Sequence, residues 1–270
     1  MTRALVFDSG VGGLSVVQAI MAVGLPLEID YLADSAWLPY GEKADAALVE
    51  RIPALVTAAV RALQPDIVVL ACNTASTLAL TETRAAVSAP VVGVVPAIKP
   101  AAALSRTGVI GLLATPATVR RAYTDQLIAE HAGSCAVVRA GASDLVALAE
   151  QVLAGAAPDT DRIDAALRLL TGQPGGGAID VIVLACTHFP LLRQCLEARA
   201  PHISFIDSGA AVARRVCSVL ALQPACGSTR LRLAFSTGAL PKDVLLGMGF
   251  QECRAIADER PFRGFNDTIV

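Results

Sequence analysis

Two cysteines stand at matched places in the chain, in surroundings that suit acid–base chemistry at carbon. The run Asp66-Ile67-Val68-Val69-Leu70-Ala71-Cys72 returns, with two swaps among branched apolar residues, as Asp180-Val181-Ile182-Val183-Leu184-Ala185-Cys186. Each copy leads from an apolar run to a cysteine, then to small polar residues (Asn73-Thr74, Thr187-His188), then to a helical stretch, Ala75–Ala86 or Pro190–Arg199. A lone cysteine at a strand end is usually a small core residue, but a pair in repeat positions asks for another reason. The start of a helix offers free N–H groups and a partial positive charge, which lower a thiol pKa from about 8.5 toward neutrality. Two facing thiols suit the inversion of a stereocentre. One, as thiolate, removes a proton from one face; the other, as thiol, returns a proton to the opposite face, and the roles exchange on the reverse pass. Cys135, Cys195, Cys217, Cys226 and Cys253 fall in helical or loop contexts without this pattern and read as filler.

Polar residues beside each thiol have a structural and a chemical reading. Asp8 ends the first apolar run, and in a parallel sheet that end can lie beside the end of the Cys72 strand. It reads either as a helix N-cap or as an acid that tunes the thiol. His188 reads either as a helix-start residue bonded to backbone or as an imidazole acting on Cys186. Ser9, Asn73, Thr74, Thr115, Thr118 and Thr187 fall at strand ends, where hydroxyls, amides and helix N-termini bind carboxylates but also serve as ordinary caps and turns. The loop Ser9-Gly10-Val11-Gly12-Gly13, with Asp30 ending the next strand, suggests a dinucleotide site. That fingerprint, however, requires a third glycine where Ser15 stands.

These residues need strand ends to carry them. Apolar runs at Ala4–Phe7, Ile29–Ala33, Ile67–Ala71, Val91–Val95, Val109–Leu113, Cys135–Arg139, Val181–Ala185, Ser204–Ile206 and Leu231–Ser236 read as strands. Helical stretches such as Leu48–Leu63 and Leu145–Leu153 lie between them. The alternation predicts an α/β fold with mainly parallel sheets flanked by helices. The repeat, with a weaker echo of Phe7-Asp8-Ser9 in Leu113-Ala114-Thr115, predicts two similar domains presenting one cysteine each at the carboxyl edge where such sheets bind ligands. Pro96 to Pro100 reads as a domain crossing, and Gly172–Gly177 as a loop. The 270 residues are 54% hydrophobic with a net charge of -2. That charge, without basic clusters, argues against a nucleic-acid or anionic-membrane partner, and the longest apolar stretch, Val87 to Ile98, is short and broken by prolines, which argues against a membrane span. Met1-Thr2-Arg3 runs straight into a strand, leaving no signal peptide, so the expected location is cytoplasmic. An odd cysteine count without C-x-x-C argues against a disulfide framework, and the three histidines lack zinc-ligand spacing, so no metal is expected.

Taken together the motifs resemble the bacterial glutamate racemases along nearly the whole chain. The likeness rests on Phe7-Asp8-Ser9-Gly10-Val11-Gly12-Gly13-Leu14, Pro39-Tyr40-Gly41, Ala71-Cys72-Asn73-Thr74-Ala75-Ser76, Gly93-Val94-Val95-Pro96-Ala97, Leu113-Ala114-Thr115-Pro116-Ala117-Thr118 and Leu184-Ala185-Cys186-Thr187-His188-Phe189-Pro190-Leu191. The resemblance implies two pseudo-twofold-related domains, 1–97 with 207–270 and 98–206, with the active site in the cleft between them. It implies cofactor-independent interconversion of L- and D-glutamate for peptidoglycan, by an enzyme that forms a homo-oligomer, a dimer. Cys72 matches the thiol that acts on D-glutamate and Cys186 the one that acts on L-glutamate. Asp8, His188 and Glu150 match residues that assist the thiols, although Glu150 by itself reads as an acid on a solvated helix face. Ser9, Tyr40, Gly41, Asn73, Thr74, Thr115, Thr118 and Thr187 match positions that hold substrate. The stretch Arg254 to Val270 matches no motif of the family.

Three alternatives stand beside this reading. An aspartate racemase or another two-cysteine relative would use the same thiols; Pro39-Tyr40-Gly41 and Cys186-Thr187-His188 favour glutamate. A pyridoxal-phosphate racemase would need a Schiff-base lysine, and Lys43, Lys99 and Lys242 lack a phosphate-cradle context. A non-catalytic binding protein would have no need of both intact thiols.

Overall fold

The computed structural model describes residues 1–225, 227–239, 241–256 and 262. Cys226, and the C-terminal stretch after residue 256 apart from Phe262, lie outside the described residues. In chain order the strands are β1 (Thr2–Asp8), β2 (Leu27–Ala33), β3 (Ile67–Leu70), β4 (Val91–Gly93), β5 (Val109–Ala114), β6 (Ala136–Gly141), β7 (Val181–Ala185), β8 (Ser204–Ile206), β9 (Arg230–Ser236) and β10 (Glu252–Ala255). They form a sheet in the order β10-β9-β2-β1-β3-β4 and another in the order β6-β5-β7-β8, and every pairing is parallel. Helices alternate with the strands. The fold is therefore α/β, its strands reading as the unbroken apolar runs that two covered faces require.

The chain divides into two compact units, Met1–Val94 with Gly209–Val270, and Val95–Ser208. The order β2-β1-β3-β4 in the first unit is the order β6-β5-β7-β8 in the second, so the sequence repeat reflects a repeat of topology. Register carries the correspondence to single residues. Phe7 pairs with Leu70 in the first sheet and Leu113 with Leu184 in the second. Each cysteine therefore follows the equivalent strand, and Asp8 and Ser9 fall where Ala114 and Thr115 fall in the other unit.

The acid that opens each repeat copy has a task of its own. Asp66 Oδ2 accepts from the N–H of Arg3 at 2.7 Å, at the entry of the neighbouring β1. Asp180 accepts from Ser105 Oγ at 2.6 Å and from the N–H groups of Arg106 and Thr107 at 2.7 and 3.1 Å, just before the neighbouring β5. Desolvation pushes the Asp180 carboxyl up, but these donors together outweigh it and hold the pKa at about 2. A carboxyl depressed by folding stabilises the native state above its unfolded value, and that stability is lost as pH falls from about 4 toward 2. Asp180→Ala should thus cost about 1–2 kcal/mol at pH 7, toward the low side for hydrogen bonds to a charge because the group is partly exposed. Urea unfolding of both proteins should show the gap closing below pH 4; a gap that persists undiminished to pH 2 would mean the carboxylate charge is not its source.

The first sheet departs from the sequence reading in three places. Strand β10 was not expected: its residues are polar or half-exposed and it forms the outer edge of its sheet, so it lacks the apolar run that marks a buried strand. Cys253 accordingly lies in a strand, not in a helix or loop, and burial pushes its thiol pKa up. Asp30 does not end β2. It sits mid-strand and fully buried, where a bulge between β2 and β9 turns the N–H of Leu233 toward its carboxylate at 3.3 Å. Desolvation raises its pKa and Arg232 offsets part of the rise. An acid so enclosed has no reach toward a ribose.

Candidate active site

In the first unit the carboxyl ends of β1 and β3 lie side by side, with the N–H of Ala71 donating to the carbonyl of Phe7 at 2.7 Å. That adjacency sets Asp8 and Ser9 beside Cys72. Cys72 is 5% exposed and belongs to the core cluster of Phe7, Tyr40, Leu70 and Ala75. Its Sγ lies 3.7 Å from Ser9 Oγ and can donate to it. The cysteine occupies the N-cap position of helix Asn73–Ala86, in extended conformation, so the first-turn N–H groups, which have no acceptor within the helix, open beside the sulfur. Asn73 and Thr74 are buried there, and Asn73 Nδ2 is enclosed without a hydrogen-bond partner. A buried amide donor left unpaired costs about 1–3 kcal/mol.

Asp8 is fully buried. Its Oδ2 accepts from the N–H groups of Gly10 at 3.2 Å and Gly13 at 3.0 Å. The glycine loop thus wraps the protein's own carboxylate, which takes donors that a dinucleotide phosphate would need. A Cβ on Gly13 would come within 2.7 Å of Asp8 Cβ and 2.8 Å of Tyr31 Oη, so glycine there is required by the approach of the helix to the strand end. Tyr40 and Gly41 lie in a single 3-10 turn, Tyr40–Glu42. Burial holds the Tyr40 phenol well above its ordinary pKa, and the nearby Asp34 carboxylate and Cys72 thiol add to the effect.

In the second unit Cys186 follows β7 and is 7% exposed. Its Sγ lies 3.9 Å from His188 Nδ1, and His188 Nε2 lies 2.7 Å from Glu150 Oε1. Glu150, on helix Asp144–Leu153, is turned against the imidazole and not simply into solvent, its side chain 28% exposed. Both ring nitrogens of His188 face side chains, one the thiol and one the carboxylate. Thr187 is buried beside them. Thr115 follows β5 in the position that Ser9 holds after β1. It caps the short helix Pro116–Arg120, its Oγ1 accepting from the N–H of Thr118 and lying 3.0 Å from Thr118 Oγ1.

The helical stretch expected at Pro190–Arg199 is divided. A 3-10 turn, Phe189–Leu192, precedes a short α-helix, Arg193–Arg199, because the chain leaves Cys186 through tight bonds from Phe189 N–H to the Cys186 carbonyl and from Leu191 N–H to that of His188. Cys186 therefore does not cap an α-helix as Cys72 does, and its polar support comes from the His188–Glu150 pair. Asp8, Ser9, Tyr40, Gly41, Cys72, Asn73 and Thr74 are gathered in the first unit; Thr115, Thr118, Glu150, Cys186, Thr187 and His188 in the second. No motif pointed to Asp34, Arg51 and Thr237, which join Tyr40 in a buried polar cluster. The sequence signal was that Asp34 and Thr237 each directly follow a strand end. Among the described residues no group of His, Cys, Asp and Glu could hold a metal ion, and no helix is long and apolar enough to cross a membrane.

The structure is a duplicated parallel α/β frame with a buried cysteine after the equivalent strand of each half. Residues 15–216 match the family described as Asp/Glu/Hydantoin racemase, and the chain belongs to that family and with it to the isomerases. It is 50% identical to the glutamate racemase of Sphingopyxis alaskensis over 213 residues, 78% of this chain and 80% of the relative. It is 44% identical to that of Salmonella typhimurium over 239 residues, 88% of this chain and 84% of the relative. The crystal structure of Escherichia coli glutamate racemase in complex with L-glutamate and the activator UDP-MurNAc-Ala is similar with a TM-score of 0.86 and 40% identity, covering 95% of this chain and 98% of that one.

Proposed function

We propose that this protein interconverts L- and D-glutamate without a cofactor, by two-base proton transfer between the substrate α-carbon and the thiols of Cys72 and Cys186. The observation that carries the reading is the pair of buried thiols at equivalent strand ends of a duplicated sheet; the names of the relatives support glutamate as the substrate. Starting from D-glutamate, the Cys72 thiolate takes the α-proton, and the C–H electron pair remains on carbon and its carboxylate. The Cys186 thiol then gives its proton to the opposite face. The enzyme is left with Cys72 as thiol and Cys186 as thiolate, ready for L-glutamate. Asp8 assists at the first sulfur, the His188–Glu150 pair at the second. Asn73 Nδ2 and the first-turn N–H groups of its helix are donors for the substrate carboxylate, joined by Ser9, Thr74, Thr115, Thr118, Thr187 and the Tyr40–Gly41 turn. In the cell this reading makes the protein a cytoplasmic source of D-glutamate for peptidoglycan.

The test is direct. Purified protein with a reductant, dialysed against a chelator and given no cofactor, should bring the optical rotation of L-glutamate to zero, and should leave L-aspartate essentially unturned over the same period. Faster loss of rotation with aspartate would assign the other substrate. Activity that appears only on adding a metal ion or pyridoxal phosphate would overturn the cofactor-free mechanism.

A further inference from the structure

The wall of the Cys72 half-site is tied by a polar cluster that the mechanism above does not use. Asp34, just past β2, is fully buried. Its Oδ2 accepts from Tyr40 Oη at 2.5 Å and Arg51 Nε at 2.7 Å, and its Oδ1 from Arg51 Nη2 and Thr237 Oγ1, each at 2.6 Å. Arg51 stands on helix Asp45–Leu63, its guanidinium 4.4 Å from the centre of the Trp37 ring. Thr237 follows β9, and its Oγ1 also accepts from the N–H of Ala36 at 3.1 Å. The cluster reaches the thiol along two routes. The ring of Tyr40 packs in the same core cluster as Cys72, and the N–H of Asp34 donates to the carbonyl of Asp8 at 2.9 Å.

Such a cluster is poorly explained by stability. A buried ion pair seldom outperforms apolar residues of the same shape, and its best-attested use is to fix one geometry among several. Here the fork of Arg51 and the hydroxyl of Thr237 hold both carboxylate oxygens, which fixes the direction in which Asp34 accepts the phenol. The single proton of Tyr40 Oη goes to Asp34, so Tyr40 serves the thiol site with its ring and its backbone.

We propose that Arg51 and Thr237 are positioning residues for the Cys72 half-site: they lock Asp34, and through it hold the Tyr40 ring and the Asp8 strand end in place beside the thiol before substrate arrives. The proposal rests on the racemase reading for its kinetic consequence but not for its geometric one, and the tests separate the two. Thr237→Val keeps the side-chain shape and removes the donor to Asp34 together with the acceptor of the Ala36 N–H. It should raise KM for both enantiomers by about fivefold or more, since a single ordinary hydrogen bond is already worth about that factor, with kcat little changed, because the turn must be ordered when substrate binds. Partial unfolding would instead lower kcat at unchanged KM. Arg51→Met should act in the same sense more strongly, with Arg51→Lys partly restoring KM. In a Tyr40→Phe background Thr237→Val should add clearly less than it does in the parent, since one of its two routes passes through the phenol. Independent multiplication of the two effects, or a fall in kcat alone, would overturn the proposal. A readout that needs no turnover is the rate of iodoacetamide alkylation at each thiol, resolved by peptide mass spectrometry. Thr237→Val should change it at Cys72 and leave Cys186 as in the parent. Equal rates in parent and variant at both thiols would sink the clamp, whereas a change at Cys72 in a protein that does not racemise glutamate would sink the racemase reading and keep the clamp.

Discussion

Cys72→Ala and Cys186→Ala are each expected to fold and each to lose racemisation by about 10²–10⁴-fold or more, the range supplied by a single positioned acid or base. Folding should survive because the lost atom is small and each sulfur sits at a strand end, where its removal costs about 1 kcal/mol of a typical mutational scale. Enantiomers have equal free energies, so kcat/KM must fall by one factor whether L- or D-glutamate is the substrate; unequal factors would signal a faulty assay, not a property of the enzyme. The two-base assignment is tested further in D2O. Early in the reaction of the parent enzyme the product should carry deuterium from the donor thiol while the remaining substrate stays unlabelled. Label appearing equally in substrate and product would indicate one base serving both faces. A cysteine variant that kept more than about a tenth of parental turnover would leave only about 1.4 kcal/mol of barrier to that thiol, too little for an obligatory base.

Asn73→Ala is the second large effect. An amino-acid α-proton is far less acidic than a thiol, so without an electron sink the developing negative charge has to be met by fixed donors. Asn73 Nδ2 is the candidate: it is buried, on the residue that follows Cys72, and without a hydrogen-bond partner in the protein. If it meets charge that grows in the transition state, its loss should lower kcat by about 10²–10³-fold, or ~2.7–4 kcal/mol, from both enantiomers. A raised KM with unchanged kcat would make Asn73 a substrate clamp and leave the electrostatic role to the helix N–H groups. Stability offers a cross-check, because removing an unsatisfied buried amide should leave the folded state no less stable apart from the small space vacated.

Much of this was legible in the chain because it is written locally. The strands Val181–Ala185 and Ser204–Ile206 were bounded correctly by their apolar runs, and the seven-residue repeat disclosed a topology that the sheet orders reproduce. What stayed hidden depends on partners far along the chain. Glu150, which meets His188 across 38 positions, was named only through the family resemblance, and Asp34, which meets Thr237 across 203, was not named at all; neither acid stands in a motif. The bulge at Asp30 exists only once β9 has paired with β2. The turn after Cys186 was misjudged for a different reason: Pro190 and the leucines that follow suit an α-helix and a 3-10 turn equally well, and the decision falls to hydrogen bonds of the Cys186 and His188 carbonyls.

The pairing of β2 with β9 also sets an order of assembly. The first unit is written in two pieces, and the second is continuous between them. On a ribosome that adds about 5–20 residues per second, β2, complete at Ala33, waits about 10–40 s for Ser236 to appear. All four strands of the other sheet are available by Ile206. Through that interval one side of β2 is an open edge of buried-type residues such as Leu27, Ile29 and Tyr31, a template on which another nascent chain could pair. The later-made unit is therefore the first able to finish, and any stall between Ser208 and Ser236 leaves a chain with one completed sheet and one adhesive edge.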